Sequence, residues 1–316
     1  MSSNKKIIVE EVVVGILLNK NGQILVAKRR NNQFMPGYWE LPGGKIKVGE
    51  NKKDSLKREL SEELGVTVNK SSLKHTMCHQ YPDKVVQLWI YNVDKYSGEP
   101  SGQEGQDTSW CSLDQLNNYK LLPTMREIVH KISLPEYYWI TPDDHYSESV
   151  IEKCLEHLIA GTMIVQLRSK VPLDHTYIDK VYKLCQDYQA SLILNTPNKT
   201  YQELCDGWHL TSNELLSLNK RPCDNNKLLG ASAHNILEAE HAKNISADYI
   251  SLSPVNLTPS HPHIPPLGWQ AASDIISKSN LPVYLLGGMS KEVLDKALSI
   301  GAQGVAGNYR NRDSPR

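Results

Sequence analysis

The distribution of apolar positions changes character along the chain near residue 133. Before it, Val12 to Leu18 and Ile24 to Val26 read as two strands, joined at Asn21-Gly22, a dipeptide that accepts the positive φ of a hairpin turn. Val85 to Val93 alternates well enough for another strand, and Gly98 to Gln106 is a Gly-rich loop carrying Glu104. Leu56, Leu60 and Leu64 recur every four residues, which predicts a helix with that stripe toward the core and Gly65 as its stop.

After Ile132 the segment Ser133-Leu134-Pro135-Glu136 reads as a connector, and short apolar strands then alternate with amphipathic helices. The strands expected are Tyr137–Thr141, Met163–Ser169, Leu192–Thr196, Gly207–Thr211, Leu228–His234, Tyr249–Val255, Pro282–Gly287 and Gly304–Gly307. Between them fall helical segments at Glu148–Ala160, Thr176–Tyr188, Ile236–Lys243, Gln270–Ser277 and Lys291–Ile300. Eight βα-type units in succession predict a small TIM (β/α)8-type barrel without a full last helix. At 316 residues the chain accommodates two domains, read as 1–132 and 137–316 with a linker at 133–136.

Composition narrows the partners. Thirty-five basic and thirty-five acidic residues leave no net charge, which argues against polymeric nucleic acid or an anionic membrane as the main partner; a small charged ligand needs only local charge. The six cysteines form no CxxC pair, so free thiols in a reducing cytoplasm are expected. Glu10 and Glu11 interrupt what would be the apolar region of a signal peptide, and no run reaches the length of a membrane span.

The helix before Gly65 carries the chemistry. Glu59, Glu62 and Glu63 lie three and four residues apart, so their side chains are neighbours on one helical surface at the edge of the leucine stripe. Like charges at such spacings cost about 0.2–0.5 kcal/mol per pair even when exposed, so the cluster calls for a cationic partner. Mg²⁺ suits it, with Mn²⁺ as the alternative, because a hard cation takes carboxylate oxygens and shares its remaining positions with substrate phosphates. Gly44, Glu50, Arg58, Glu59, Leu60, Glu62, Glu63, Gly65 and Val66 fill the fixed positions of a long signature that resembles the Nudix box. The resemblance implies an α/β/α sandwich with a mixed sheet, and a Mg²⁺-dependent pyrophosphohydrolase acting on a nucleoside diphosphate linked to another group.

Within that family the order of WELPGGK, the box, YPDK, GEPSGQEGQ and SWCSL is similar to the MutT branch, over about Val12 to Ile132. By this resemblance Glu59, Glu62, Glu63 and the Gly43 carbonyl hold metal, and Glu104 is a distal loop carboxylate. Arg29, Phe34, Glu40, Leu41, Pro42, Gly43 and Lys45 border the nucleotide. Cleavage at the β-phosphorus then gives a nucleoside monophosphate and pyrophosphate, and 8-oxo-dGTP is the implied substrate. The chain departs from the branch at Met125, where an Asn reads the base, and at Lys84, where an Arg is usual. Met125 cannot present a paired amide donor and acceptor.

Barrels place their chemistry at the C-terminal ends of the strands. Arg168 and Lys170, Asn195, His234, Gly287-Gly288 and Gly307-Asn308 fall there. With VQLRSK, GASAH, SLSPVNLT and LLGGMS, the segment from Tyr137 to Asn308 resembles thiamine phosphate synthase and its TenI relatives. The implied ligand is a thiazole or thiamine phosphate, with tautomerisation through His234 or simple sensing as alternatives to synthesis. The synthase pattern is altered at Thr196, where a metal-binding carboxylate is usual, at Thr211-Ser212-Asn213-Glu214, which replaces Gly-Gln-x-Asp, and at His261, which replaces a Lys. Without those groups a pyrophosphate leaving group is poorly neutralised. A phosphate-binding barrel without synthase activity is therefore expected.

Overall fold

The computed structural model describes residues 8–81, 84–142, 148–169, 172–195, 197–257 and 265–308. Lys170, Thr196 and His261 lie outside the described residues. The chain forms two compact units, Met1–Ser133 and Leu134–Arg316.

In the first unit the chain runs through β1 (Ile8–Ile16), β2 (Ile24–Lys28), β3 (Trp39–Glu40), β4 (Gly43–Lys45), α1 (Lys52–Leu64), β5 (Thr67–Gln80), β6 (Lys84–Ser97), β7 (Thr108–Cys111) and α2 (Pro123–Ser133). A mixed sheet has the order β4-β1-β6-β5, with β1 and β6 parallel and the other pairs antiparallel, and a smaller antiparallel sheet has the order β3-β2-β7. Period-two alternation gives the mixed sheet two apolar faces. Val13 on β1 and Tyr91 and Val93 on β6 pack with Leu56, Leu60 and Leu64 of α1. Val14 and Ile16, with Val86, Leu88 and Ile90, pack with Met125 and Ile128 of α2. The sheet is therefore sandwiched between the two helices.

One reading of this unit is corrected. The chain does turn at Asn19–Gln23, with Gly22 at φ 73°, but the flanking strands meet only at the bridge Leu18↔Ile24 and then enter different sheets. Each finds its apolar partners elsewhere, and the hairpin does not extend. The stretch around Met125, for which the sequence predicts no element, begins a helix: Pro123 is its first residue, where a missing N–H costs nothing.

The second unit comprises β8 (Tyr137–Ile140), α3 (Glu148–Ile159), β9 (Ile164–Leu167), α4 (His175–Asp187), β10 (Ser191–Asn195), β11 (Gly207–Leu210), α5 (Ser212–Ser217), β12 (Leu228–Ala233), α6 (Ile236–Asn244), β13 (Tyr249–Leu252), α7 (Gly268–Lys278), β14 (Val283–Leu285), α8 (Leu294–Ser299) and β15 (Gly304–Gly307). Among the described residues eight parallel strands close a barrel, β8 pairing with both β9 and β15. Tyr138, Tyr249 and Tyr284 fill its interior with Ile140, Ile164 and Ile193. The expected connector is partly barrel: Leu134 is buried, and the carbonyls of Leu134 and Pro135 accept from Gln303 Nε2 (2.8 Å) and Tyr284 Oη (2.5 Å). An apolar residue in a connector found cover against the interior tyrosines.

Candidate active site

Helix α1 is held at both ends by its own sequence. Asn51 Oδ1 accepts the N–H of Asp54 (3.0 Å), and Gly65, at φ 71°, closes the C-terminus by donating its N–H to Ser61 O. With Leu56, Leu60 and Leu64 fully buried, Glu59 and Glu63 stand on the adjoining stripe and reach a cavity of about 320 Å³. One wall is the α2-side face of the mixed sheet, with Glu10, Val12 and Val14 from β1 and Lys84, Val86 and Leu88 from β6. Thr124, Met125 and Ile128 of α2 form another, and Arg29, Phe34, Glu40, Leu41, Gly43, Gly44, Lys45 and Glu104 complete the rim.

The two glycines let backbone and carboxylate meet. Glu63 Oε2 accepts the N–H of Gly43 at 2.9 Å, and a β-carbon at Gly44 would overlap the Glu59 carboxylate. Arg58 organises the rest, bonding Glu50 (2.9 and 2.8 Å), Glu59 (2.6 Å) and Glu62 (3.1 Å). It draws the Glu50 carboxyl down to about 2. Burial acts the opposite way on Glu59 and Glu63: it raises both, and Glu63 reaches about 8 because Glu40, Glu59 and Glu104 add repulsion that the Gly43 N–H only partly offsets. Burial also raises Glu40, against the opposing Arg29 guanidinium, whose Nη1 lies 2.6 and 2.7 Å from the two carboxylate oxygens.

The loop carboxylate is tethered as well. Arg30 Nη2 pairs with Glu104 at 2.6 Å and Arg30 Nη1 donates to the Glu104 carbonyl at 3.1 Å. Gln106 Nε2 and the Gln103 N–H both donate to the Glu63 carbonyl at 2.9 Å, so the loop is fastened to the end of α1.

An oxygen-only donor set of Glu59, Glu63, Glu104 and the Gly43 backbone, in surroundings where like charges already repel, fits a hard divalent cation. In this structure the carboxylates engage Arg58, Arg30 and Gly43, and among the described residues no three Asp, Glu, His or Cys side chains converge on one point. Of the residues expected from sequence, Glu59, Glu63, Glu104, Gly43, Arg29, Phe34, Glu40, Leu41 and Lys45 come together at the cavity. Glu62 does not line it: its side chain is half exposed, between Arg58 and Lys47 (3.8 Å). Pro42 is buried outside the lining, and its carbonyl accepts from Gly15 at 2.9 Å. Glu10, Tyr81 and Gln106 carry no role in the sequence reading, whereas Arg30 belongs to the basic run Lys28-Arg29-Arg30 that precedes the Gly-rich turn. The alternation of Glu10 with Val12 and Val14 was the available signal for the first.

At the mouth of the barrel, parallel strands bring Arg168, Asn195, His234, Gly287, Gly288 and Gly307 to one end. Asn195 Oδ1 accepts from Gln166 Nε2 (2.8 Å), and exposed His234 has Nδ1 2.6 Å from Ser253 O. Gly287 and Gly288 have positive φ (97° and 63°), as a turn made of backbone requires. Glu214 is spent on a capping box, with Oε2 accepting from Thr211 N–H and Oγ1 at 2.8 Å each. Below the mouth His209 is fully enclosed, with Nε2 3.2 Å from Ser232 Oγ and 3.1 Å from Ser251 Oγ and Nδ1 3.4 Å from Tyr249 Oη. Burial pushes its pKa down to about 3.

Two family models match. That of the NUDIX domain covers residues 13–131, and that of thiamine monophosphate synthase covers residues 137–308, more than half of the chain. An 8-oxo-dGTP diphosphatase of Escherichia coli is 36% identical over 122 residues, which are 39% of this chain and 95% of that protein. A putative thiamine-phosphate synthase 2 of Aquifex aeolicus is 33% identical over 180 residues, 56% of this chain and 97% of that protein. A solved structure from work on MutT of Aliivibrio salmonicida and Vibrio cholerae is 29% identical, covering 39% of this chain and 96% of its own, with a TM-score of 0.35.

Proposed function

The chain belongs to the Nudix family through its first unit and to the thiamine monophosphate synthase family through its second, and from that premise we propose that it is a Mg²⁺-dependent nucleoside triphosphate pyrophosphohydrolase of the 8-oxo-dGTP diphosphatase type. Its role would be to clear damaged nucleotides from the precursor pool. The observation that carries the reading is the gathering of Glu59, Glu63, Glu40 and Glu104 around Gly43-Gly44 in one cavity. Glu59, Glu63, Glu104 and the Gly43 carbonyl are the proposed ligands of the divalent ion, with Glu62, which stands outside the cavity beside Arg58, as a further one, and the ion when bound would neutralise phosphate oxygens. The chain's own residues do the rest. Glu40 and Arg29 border the nucleotide, Gly43 and Gly44 let its phosphates approach the backbone, and a carboxylate of the cluster orients or deprotonates the water that attacks the β-phosphorus. Lys45 lies beside the same path.

The barrel is proposed to bind a small phosphate ester, of the thiazole or thiamine phosphate kind, without synthesising thiamine phosphate. Backbone N–H groups at the Gly287-Gly288 and Gly307-Asn308 turns bind anions without a metal. Glu214, the carboxylate of the altered motif after β11, is committed to the start of α5.

The first-unit reading is tested by turnover of a nucleotide panel with Mg²⁺. The expected result is conversion of 8-oxo-dGTP to monophosphate and pyrophosphate, with a kcat/KM above that for dGTP. Equal kcat/KM for the two would remove the sanitising role, and no turnover of any nucleotide would remove the hydrolase.

A further inference from the structure

We propose that Glu10 and Lys84 are the base-reading pair of the first unit's cavity and that they select a guanine-type edge, an inference that rests on the nucleotide reading above. The pair interrupts a pattern. Strands β1 and β6 run parallel, with Ile8 opposite Lys84 and Glu10 opposite Val86, and alternate residues of both, Glu10, Val12, Val14 and Lys84, Val86, Leu88, line the cavity. A sheet face covered by a helix ordinarily stays apolar to its end. Here it ends in two opposite charges, whose side chains are only 21% and 23% exposed. Partly burying such groups costs free energy unless they are paired, and they are: Lys84 Nζ lies 2.8 Å from Glu10 Oε2, and Lys45 Nζ lies 2.7 Å from Oε1.

The chemistry of the pair matches one edge. The two lysines hold the Glu10 carboxyl below its ordinary range, so it offers acceptors only, whereas the Lys84 ammonium offers donors only. Guanine presents a carbonyl acceptor at O6 beside donors at N1 and N2; 8-oxoguanine keeps that edge, and adenine carries a donor at N6 instead. An ammonium at O6 and a carboxylate at N1–H and N2–H satisfy guanine and oppose adenine. On the opposite wall Met125 has no paired donor and acceptor, and Thr124 beside it offers a single hydroxyl. Flat surfaces for the base are also at hand: Phe34 and Tyr81 meet edge to face at 5.7 Å, with Lys84 Nζ 5.8 and 6.0 Å from their centroids.

The test compares kcat/KM for dGTP, 8-oxo-dGTP, dITP and dATP in the full chain and in its Glu10→Leu and Glu10→Gln variants, with the metal-free Kd of dGMP and dAMP measured alongside by calorimetry. The wild type is expected to favour guanine over adenine, with dITP, which lacks the N2 donors, in between. In Glu10→Leu the guanine-to-adenine ratio is expected to fall by roughly ten- to hundredfold, the range of a hydrogen bond to a charged group. Glu10→Gln retains the chain's shape and one acceptor, and its fall should be smaller. An unchanged ratio in folded Glu10→Leu would overturn the pair while leaving the hydrolase intact. If the wild type turns over no nucleotide, equal affinity for dGMP and dAMP overturns the pair independently.

Discussion

Glu63 reaches across from α1 to accept the backbone N–H of Gly43 at 2.9 Å, and this contact joins the carboxylate helix to a strand that lines the cavity. The geometry requires a glycine on the strand side. Gly43 has φ 148°, and a β-carbon there would run into Val13 and Val14 of the neighbouring strand. The carboxylate is thereby placed before any ligand enters.

The charge that Glu63 takes up beside a bound cation, not its shape, is expected to matter for turnover. Glu63→Gln keeps an oxygen that accepts the Gly43 N–H, so the fold should survive, while kcat with Mg²⁺ falls by roughly 10²–10³, the scale of losing one electrostatic stabiliser. Glu62→Gln should behave similarly in steady-state kinetics, and chelation of divalent ions should abolish turnover in the wild type. Undiminished rates in Glu62→Gln would take that half-exposed carboxylate out of the metal assignment.

Gly44→Ala separates catalysis from stability. The added methyl meets the Glu59 carboxylate, the far end of a flexible side chain, so the expected outcome is a displaced ligand and a higher Mg²⁺ requirement with little change in melting temperature. A Mg²⁺ titration of the rate beside a thermal melt measures both. An unaltered titration would show that Glu59 is not needed where it stands.

Acid should weaken the barrel through His209. The imidazole is depressed to about 3 in the folded chain, so between the unfolded value near 6.5 and that limit the unfolded state binds the extra proton. Stability is therefore full above about pH 6.5 and falls by about 1.4 kcal/mol per pH unit on the way down. Buried His75 of the first unit, also near 3, gives the same sign there. Urea unfolding from pH 7 to pH 4 measures the slope, and His209→Gln should flatten the barrel's share of it.

The barrel's chemistry is open to a direct assay. The full chain incubated with both thiamine-precursor phosphates and Mg²⁺ is expected to form no thiamine phosphate at an enzyme-like rate. Thiazole phosphate or thiamine phosphate should raise the melting temperature of one transition. Product formation overturns the non-synthase reading, and the absence of a shift at saturating ligand removes the binding claim.

Much of this molecule is local in origin and so was legible in the residue order. The Leu56, Leu60 and Leu64 stripe, with Gly65 after it, determined a helix and its buried side, and the spacing of Glu59 and Glu63 then placed both at the edge of the core. The βα rhythm after residue 136 likewise determined the eight strands of the barrel, because each strand's apolar run is self-contained. The short helix α5 is not legible there, since its six residues show too little periodicity and only Thr211 and Glu214 announce its start.

What only tertiary structure decided depends on partners distant in sequence. The strands flanking Asn19–Gln23 are neighbours in the chain yet separate into two sheets, because β1 gains more from its parallel match with β6, 70 and more residues away, than from the hairpin. The same pairing sets Glu10 beside Lys84, and the barrel's closure sets His209 among Ser232, Ser251 and Tyr249. A carboxylate in an apolar alternation reads as a defect until the opposing strand supplies its counter-ion. Helical neighbours are set by the 3.6-residue turn alone, whereas strand neighbours are set by whichever register buries the most apolar surface, and that is a property of the whole fold.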